Sequence, residues 1–258
     1  MAVVPSSRRP KRADLIVAEV KRWIMAGQLA PGDRLPNEKE LMERFACSKG
    51  TIREALKSLE VQGLVRIRTG PGGGATLGSV SFEHATDLLR NYLHFQRPSG
   101  ADLYALRKLV EPELAAAVVG RLDAADFARL EDLVALCVPA AATPEARQAQ
   151  RMAELEFHTV LALRCDNPLL ALVCRFLNDL VRDLVVYKKA FYPEQTEFSR
   201  SNLRYHTELI AAYRAEDAAT VRRLMAEHMA EAERFNREMD AQIGHGGLLG
   251  ARTTGAGS

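Results

Sequence analysis

Apolar residues recur at steps of three and four along most of the chain, which is the spacing of helices with one buried face. The helix that follows Ser48 shows this pattern well, because Ser48 can cap its first turn and Gly63 can end it. Its basic residues recur at four-residue steps and share a second face. The apolar stripe consists of Ile52, Ala55, Leu56 and Leu59, and the basic ridge of Lys49, Arg53 and Lys57.

The segments on either side of this helix suggest a DNA reader. Asn37 and Glu40 form the capping box of a preceding helix, and only two residues separate that helix from Ser48, as in a helix-turn-helix. An alternation of apolar and basic residues then predicts a half-exposed hairpin, so we predict a winged helix-turn-helix. The predicted elements are helices over 14–26 and 37–45, a strand over 64–68, a glycine-rich tip over 69–74 and a return strand over 75–77. The first helix should place Leu15, Ile16, Val20, Trp23 and Ile24 in the core.

The rest of the chain is rich in Ala, Leu, Glu and Arg and has few β-branched runs, which favours helices. We therefore predict a mostly α chain, with the N-terminal winged helix-turn-helix followed by an antiparallel all-helical bundle of about seven helices. Helices are expected over 82–95, 102–120, 123–138, 145–165, 168–190, 194–214 and 217–240. The predicted domains are a DNA-binding domain over 1–78, a linker and connecting helix over 79–100, a helical effector domain over 101–241 and a disordered tail over 242–258.

Charge is distributed unevenly along the 258 residues. Residues 1–80 hold 14 Lys and Arg against 8 Asp and Glu, a net of +6, whereas the remainder holds 21 against 25, a net of −4. A basic N-terminal domain on a mildly acidic body is typical of a DNA reader attached to a second function. No signal peptide and no run of 18 apolar residues occur, and the four cysteines show no C-x-x-C spacing, so we expect a cytoplasmic protein with reduced thiols and no membrane contact.

A metal site is a candidate in the helical domain. Glu154 and His158 lie one helical turn apart, and His206 and His228 lie on apolar stripes of two further helices. Those two helices form an antiparallel hairpin, and both histidines lie at similar distances from its turn. Three imidazoles and a carboxylate suit one divalent transition metal, Zn, Mn, Fe or Ni. The alternative is that each histidine is an ordinary hydrogen-bonded core residue.

The first 80 residues resemble the DNA-binding domain of the GntR family of bacterial transcription regulators. The resemblance rests on Gly27–Leu41, on Thr51–Leu56 and on Gly63-Leu64-Val65. It implies that Lys39, Lys49, Thr51 and Arg53 contact DNA and that Gly70 lies at the wing tip. Ser48 and Gly50 in the first turn, and Arg68 on the wing, complete the candidate DNA-contacting set. The family more often has arginine at position 49, and a lysine there lacks the bidentate fork.

Residues 102–240 resemble the ligand-binding FCD domain of the FadR subfamily of GntR regulators. The matching pieces are Leu106–Glu111, Glu154-x-x-Phe157-His158, Asp166–Leu169, His206–Ile210 and Glu227-His228-Met229. Metal-binding members carry aspartate where Glu154 stands. The resemblance implies that a small organic acid binds at the metal and that Arg107 is its counter-charge; the alternative is an ion pair between Arg107 and Glu111.

These observations predict a ligand-responsive transcription regulator, a repressor that binds a near-palindromic double-stranded DNA operator as a homodimer and is not an enzyme. A metal-dependent enzyme fused to a DNA reader is the alternative from another class, because a metal held by these residues could activate water. A sensor of the metal itself and a metal-free ligand-responsive regulator are further alternatives.

Overall fold

The computed structural model describes residues 10–70, 72–139, 141–187 and 196–243. In that part of the chain ten helices and one two-stranded sheet occur, which confirms the prediction of a mostly α chain with an N-terminal winged helix-turn-helix. The helices are α1 Arg12–Met25, α2 Glu38–Phe45, α3 Lys49–Val61, α4 Phe82–Gln96, α5 Gly100–Ala117, α6 Ala124–Cys137, α7 Pro144–Leu163, α8 Pro168–Tyr187, α9 Thr196–Arg214 and α10 Ala218–Ile243, and the strands are β1 Val65–Arg68 and β2 Gly74–Leu77.

The chain separates into two compact units, Met1–Leu88 and Leu89–Ser258. The division falls inside α4, within the segment 79–100 that the sequence predicts as a connection. In the first unit, β1 and β2 pair antiparallel with Val65 opposite Leu77, and α1 and α2 pack on α3.

The caps predicted for the helix-turn-helix are present. The Asn37 side chain accepts hydrogen bonds from the amides of Lys39 and Glu40, and the Glu40 carboxylate returns to the Asn37 amide. Ser48 accepts from the amide of Thr51. Gly63 has a φ of +74°, so it supplies the left-handed residue that follows α3.

One residue of α1 differs from its prediction. Ile16, Val20 and Trp23 are buried and Ile24 packs against the core, but Leu15 is 55% exposed. The buried residues of α1 lie at steps of three and four from Ala13, and Leu15 precedes Ile16 by one position, about 100° away around the helix.

The second unit is the predicted helical bundle, and with the connecting helix it contains seven described helices, α4 to α10. In it α5 packs on α10, α7 on α8 and α9 on α10. Helix α10 continues to Ile243, past the boundary predicted at 241, whereas α5 ends at Ala117, earlier than predicted. The predicted ends of two helices, at 188–190 and 194–195, and the tail from 244 onward lie outside the described residues.

All four cysteines are free thiols, as predicted, and Cys174 is buried in the bundle core. Burial, together with nearby Glu154, raises the pKa of the Cys137 thiol to about 12. Within the described ranges, no helix has the length and apolar character needed to span a membrane.

Candidate functional site

Three histidines that are far apart in the sequence meet in the core of the second unit. His158 comes from α7, His206 from α9 and His228 from α10, and each is 3% exposed. One ring nitrogen from each lies within 4.8 Å of the other two. The Nε2 atoms of His158 and His228 are 3.4 Å apart. The sequence therefore correctly predicts that these side chains converge.

A buried glutamate from α5 orients the first of these rings. Glu111 is 1% exposed, and its Oε2 lies 2.7 Å from Nδ1 of His158. Burial raises the pKa of Glu111, but the Arg107 guanidinium and the His158 ring outweigh burial and hold that pKa at about 2. An ionised carboxylate can only accept, so Nδ1 of His158 must carry the proton. In a neutral ring this leaves the Nε2 lone pair directed at the other two histidines.

Arg107 lies behind this glutamate. Its Nε donates to Glu111 Oε1 at 2.9 Å, and its Nη2 donates to Asn178 Oδ1 at 3.1 Å. The side chain is buried, so the pair is shielded from water. The ion pair with Glu111, an alternative that the sequence leaves open, is thus formed. Arg107 also lines the cavity beside the histidines, where the sequence predicts its effector role.

The other two histidines carry nitrogens that lack partners. Among the described residues, neither Nε2 of His206 nor Nδ1 of His228 has a hydrogen-bond partner. Burial lowers the pKa of both rings well below the ordinary value, and the neighbouring imidazoles lower it further. A buried polar atom without a partner is costly, and neutral imidazoles are the form that binds metals. Phe157 stacks on His206 with ring centroids 4.1 Å apart and fixes its plane.

Glu154, the fourth predicted ligand, is not part of this group of three. Its Oε2 accepts instead from Nη1 of Arg151 at 2.7 Å, one helical turn earlier on α7. Arg151 lies with its guanidinium carbon 4.1 Å from the centre of the Phe198 ring. Glu154 nevertheless lines the same cavity as Arg151 and all three histidines.

This cavity has a volume of about 60 Å³. Charged and polar side chains share its lining with aromatic and aliphatic ones. The uncharged lining includes Tyr104, Leu155, Val181, Phe198, Asn202, Met229, Ala232 and Asn236. A small molecule with charged and apolar parts fits such a lining.

The first unit presents the predicted DNA-contacting residues on its surface. Lys49 and Arg53 are exposed on α3, Lys39 is exposed on α2 and Arg68 is exposed on β1. Ser48 and Thr51 are joined at the start of α3, where free amides point outward. The remaining positions are Gly50 in that turn and Gly70 in the wing, where φ is +96°.

Glu38 is a feature of this surface that the sequence does not predict. Its carboxylate accepts from Nε of Arg53 at 2.9 Å and lies 3.4 Å from Nζ of Lys49. The hydrogen bond from Arg53 is the main reason that the pKa of Glu38 is lowered. Glu38 therefore links the first turn of α2 to the basic ridge of α3.

Comparisons with known proteins agree with both units. A family model described as bacterial regulatory proteins, gntR family, matches residues 12–74, and the FCD domain model matches residues 102–231. RmpR, an HTH-type transcriptional regulator of Mycobacterium gastri, is 31% identical over 229 residues, which cover 85% of this chain and 78% of that protein. The galactonate operon transcriptional repressor of Escherichia coli (strain K12) is 25% identical, and the match covers 88% of this chain and 98% of that protein. A solved Streptococcus agalactiae GntR structure aligns with a TM-score of 0.55 at 24% identity, and the alignment covers 86% of this chain and 99% of that one.

Proposed function

The chain belongs to the GntR family of bacterial transcription regulators and carries an FCD domain, and we propose that it is a repressor controlled by a small carboxylic acid bound at a metal ion. Two copies would place two α3 helices in successive major grooves of a near-palindromic operator. The protein would have two arrangements of its domains that differ in affinity for the operator. The acid would bind these arrangements with different affinity and so change the occupancy of the operator.

The convergence of three buried imidazoles is the observation that carries this proposal. His158, His206 and His228 would hold one divalent ion, with Glu111 fixing the tautomer of His158 as carboxylates do behind metal-bound histidines. A bound ion would polarise an acid that ligates it. Imidazole donors suit zinc, iron, nickel and, with a carboxylate, manganese.

The class of effector follows from charge and space. An ion adds two positive charges to a site that is otherwise balanced by two arginine–glutamate pairs, so an anionic ligand would offset it. The related repressor from Escherichia coli is named for the galactonate operon, and galactonate is a hydroxylated carboxylate. We favour regulation over metal-dependent catalysis, because Glu111, the carboxylate that contacts His158, is already paired with Arg107.

Elemental analysis of the purified protein tests the metal. We expect about one transition metal per chain after incubation with zinc, manganese or nickel and removal of excess ion, and less than about a tenth of that in His206→Ala. His94→Ala is the matched control, since His94 is exposed on α4. Wild-type protein that takes up none of these metals would overturn the metal site and leave a metal-free regulator.

Operator release tests the effector. A duplex selected by the wild-type protein from random sequence would be titrated with metal-loaded protein, with and without glycolate, lactate or galactonate. At least one acid should weaken binding about tenfold, which corresponds to a typical allosteric coupling. A response to the metal alone would instead indicate a metal sensor. The dimer is tested by sedimentation, where we expect twice the 28.5 kDa of one chain.

A further inference from the structure

Two arginines line the histidine cavity, and their environments differ. Arg107 is buried, and its guanidinium is bound by Glu111 and Asn178. Arg151 has a single described carboxylate partner, Glu154, and its side chain is 15% exposed. Arg151 can therefore change partners at a lower free-energy cost than Arg107. If Arg107 moved away, Glu111 would stay buried with one charged partner fewer.

The Glu154 carboxylate has two possible partners, Arg151 and an ion held by the histidines. It lies one turn from Arg151 on one side and one turn from His158 on the other, so all three project from the same face of α7. Its side chain is 8% exposed, which shields it from bulk water. An ion held by the three imidazoles would attract this carboxylate strongly, because opposite charges interact more strongly where water is scarce.

These relationships define a partner exchange, which rests on the proposed metal site. We infer that the metal ion and Arg151 compete for Glu154, so that metal binding moves Glu154 toward the ion and releases the Arg151 guanidinium to bind the carboxylate of the effector. Arg151, whose guanidinium carbon lies over the Phe198 ring, has the planar fork that pairs with a carboxylate through two hydrogen bonds.

The exchange has two consequences. The metal and the acid bind with positive coupling, because the ion frees the group that recognises the acid. Arg151 is then the anion-recognition residue of the cavity, whereas Arg107 keeps Glu111, and through it His158, in position. The effector role predicted for Arg107 from the sequence is the competing assignment, and the two assignments give different results for variants of Arg151.

Cobalt(II) alone tests the competition, because its visible absorption reports both affinity and coordination. Arg151→Met removes the competitor for Glu154 and should bind cobalt about tenfold more tightly, while Glu154→Gln should bind it about tenfold more weakly. In the double variant Arg151→Met/Glu154→Gln the gain should disappear. Arg182→Met is the matched control for loss of one positive charge, since Arg182 pairs with Asp179 and Glu156 and does not line the cavity.

The outcomes distinguish failure of the partner exchange from failure of the metal site. Cobalt affinity that is unchanged or weaker in Arg151→Met, or a gain that persists in the double variant, would overturn the exchange. A wild-type protein that binds no cobalt would overturn the metal site itself. Circular dichroism of each variant and the conservative variant Arg151→Lys, which should return cobalt affinity toward wild type, distinguish a lost competitor from a damaged fold.

Glycolate, with glycolamide as its neutral analogue, tests the second half of the inference by calorimetry. Cobalt-loaded wild type should bind glycolate, metal-free wild type should bind it at least about tenfold more weakly, and cobalt-loaded Arg151→Met should show a similar loss. Glycolamide should bind all three equally weakly. Glycolate binding that is the same in cobalt-loaded Arg151→Met and wild type would assign anion recognition to another group and overturn this half.

Discussion

The Oε2 atom of Glu111 lies 2.7 Å from Nδ1 of His158, and both side chains are buried. The contact joins α5 to α7 and fixes which nitrogen of His158 bears its proton. Arg107 lies on the far side of the same carboxylate and keeps it ionised. The contacts from Arg107 through Glu111 to His158 therefore leave Nε2 of His158 facing His228, whose Nε2 lies 3.4 Å away.

We predict that Glu111→Gln lowers zinc affinity by about ten- to one hundredfold, which is the usual cost of removing a partner behind a metal-bound histidine. The neutral amide accepts a weaker hydrogen bond and no longer fixes one tautomer of His158. Zinc affinity would be measured by competition with a chromophoric chelator. Glu113→Gln, an exposed residue of the same helix paired with Arg222, should keep wild-type affinity, and equal losses in both variants would contradict a positioning role for Glu111.

The same series of contacts predicts a large loss of stability in Arg107→Met. This change leaves Glu111 buried without its guanidinium partner, which typically costs about 3–5 kcal/mol of unfolding free energy. Arg222→Met breaks the exposed pair with Glu113 and should cost less than about 1 kcal/mol. Urea unfolding would be followed by far-ultraviolet circular dichroism, because the single tryptophan, Trp23, lies in the other unit. Equal losses in the two variants would contradict this account of the buried pair.

The pH dependence of the metal-free protein follows from His206 and His228. Their pKa values in the folded state are well below 6.5, so as pH falls below 6.5 the unfolded chain takes up protons that the folded chain does not. Stability should therefore be greatest above pH 6.5 and decline below it by up to about 1.4 kcal/mol per pH unit for each histidine.

Urea unfolding of metal-free protein between pH 5 and 7.5 would measure this slope, and His206→Leu should show about half of it. A flat profile would indicate that the rings are already protonated or not buried. Glu111 acts in a separate window. Its pKa is about 2 in the folded protein against an ordinary 4.5, so its contribution is complete above pH 4.5 and is lost as the pH falls toward 2.

How well this site can be predicted from the sequence depends on how many positions separate the residues of each contact. His158, His206 and His228 could be placed together from the sequence because helical periodicity fixes the buried face of each helix, and a short turn sets the level of α9 against α10. The contact of Glu111 with His158 spans 47 positions and depends on how α5 packs against α7, which periodicity does not report. The sequence suggests for Glu111 only a pair with Arg107, its neighbour one turn away.

Glu154 shows the opposite case, because the signal that removes it from the histidine group is local. Arg151 precedes it by three residues, a spacing at which side chains meet, and competes for its carboxylate. Leu15 likewise differs from its prediction through helical phase alone. Glu38, by contrast, reaches Arg53 across 15 residues, so only the packing of α2 on α3 reveals it.

That last contact gives a prediction for the DNA-binding unit. Arg53→Ala removes one cation that the structure leaves exposed on α3, and it should weaken binding to a selected operator duplex by about tenfold and reduce the slope of log affinity against log salt by about 1. Glu38→Gln should act with the opposite sign, because it removes the negative charge beside Arg53 and Lys49 and leaves their positive charge less compensated.

Lys21→Ala on α1 is the control for loss of an exposed cation in the same unit. Fluorescence anisotropy across a salt series measures all four proteins. If Arg53→Ala matches Lys21→Ala in both affinity and slope, α3 does not contact DNA through Arg53, and the winged unit must present another surface to the operator.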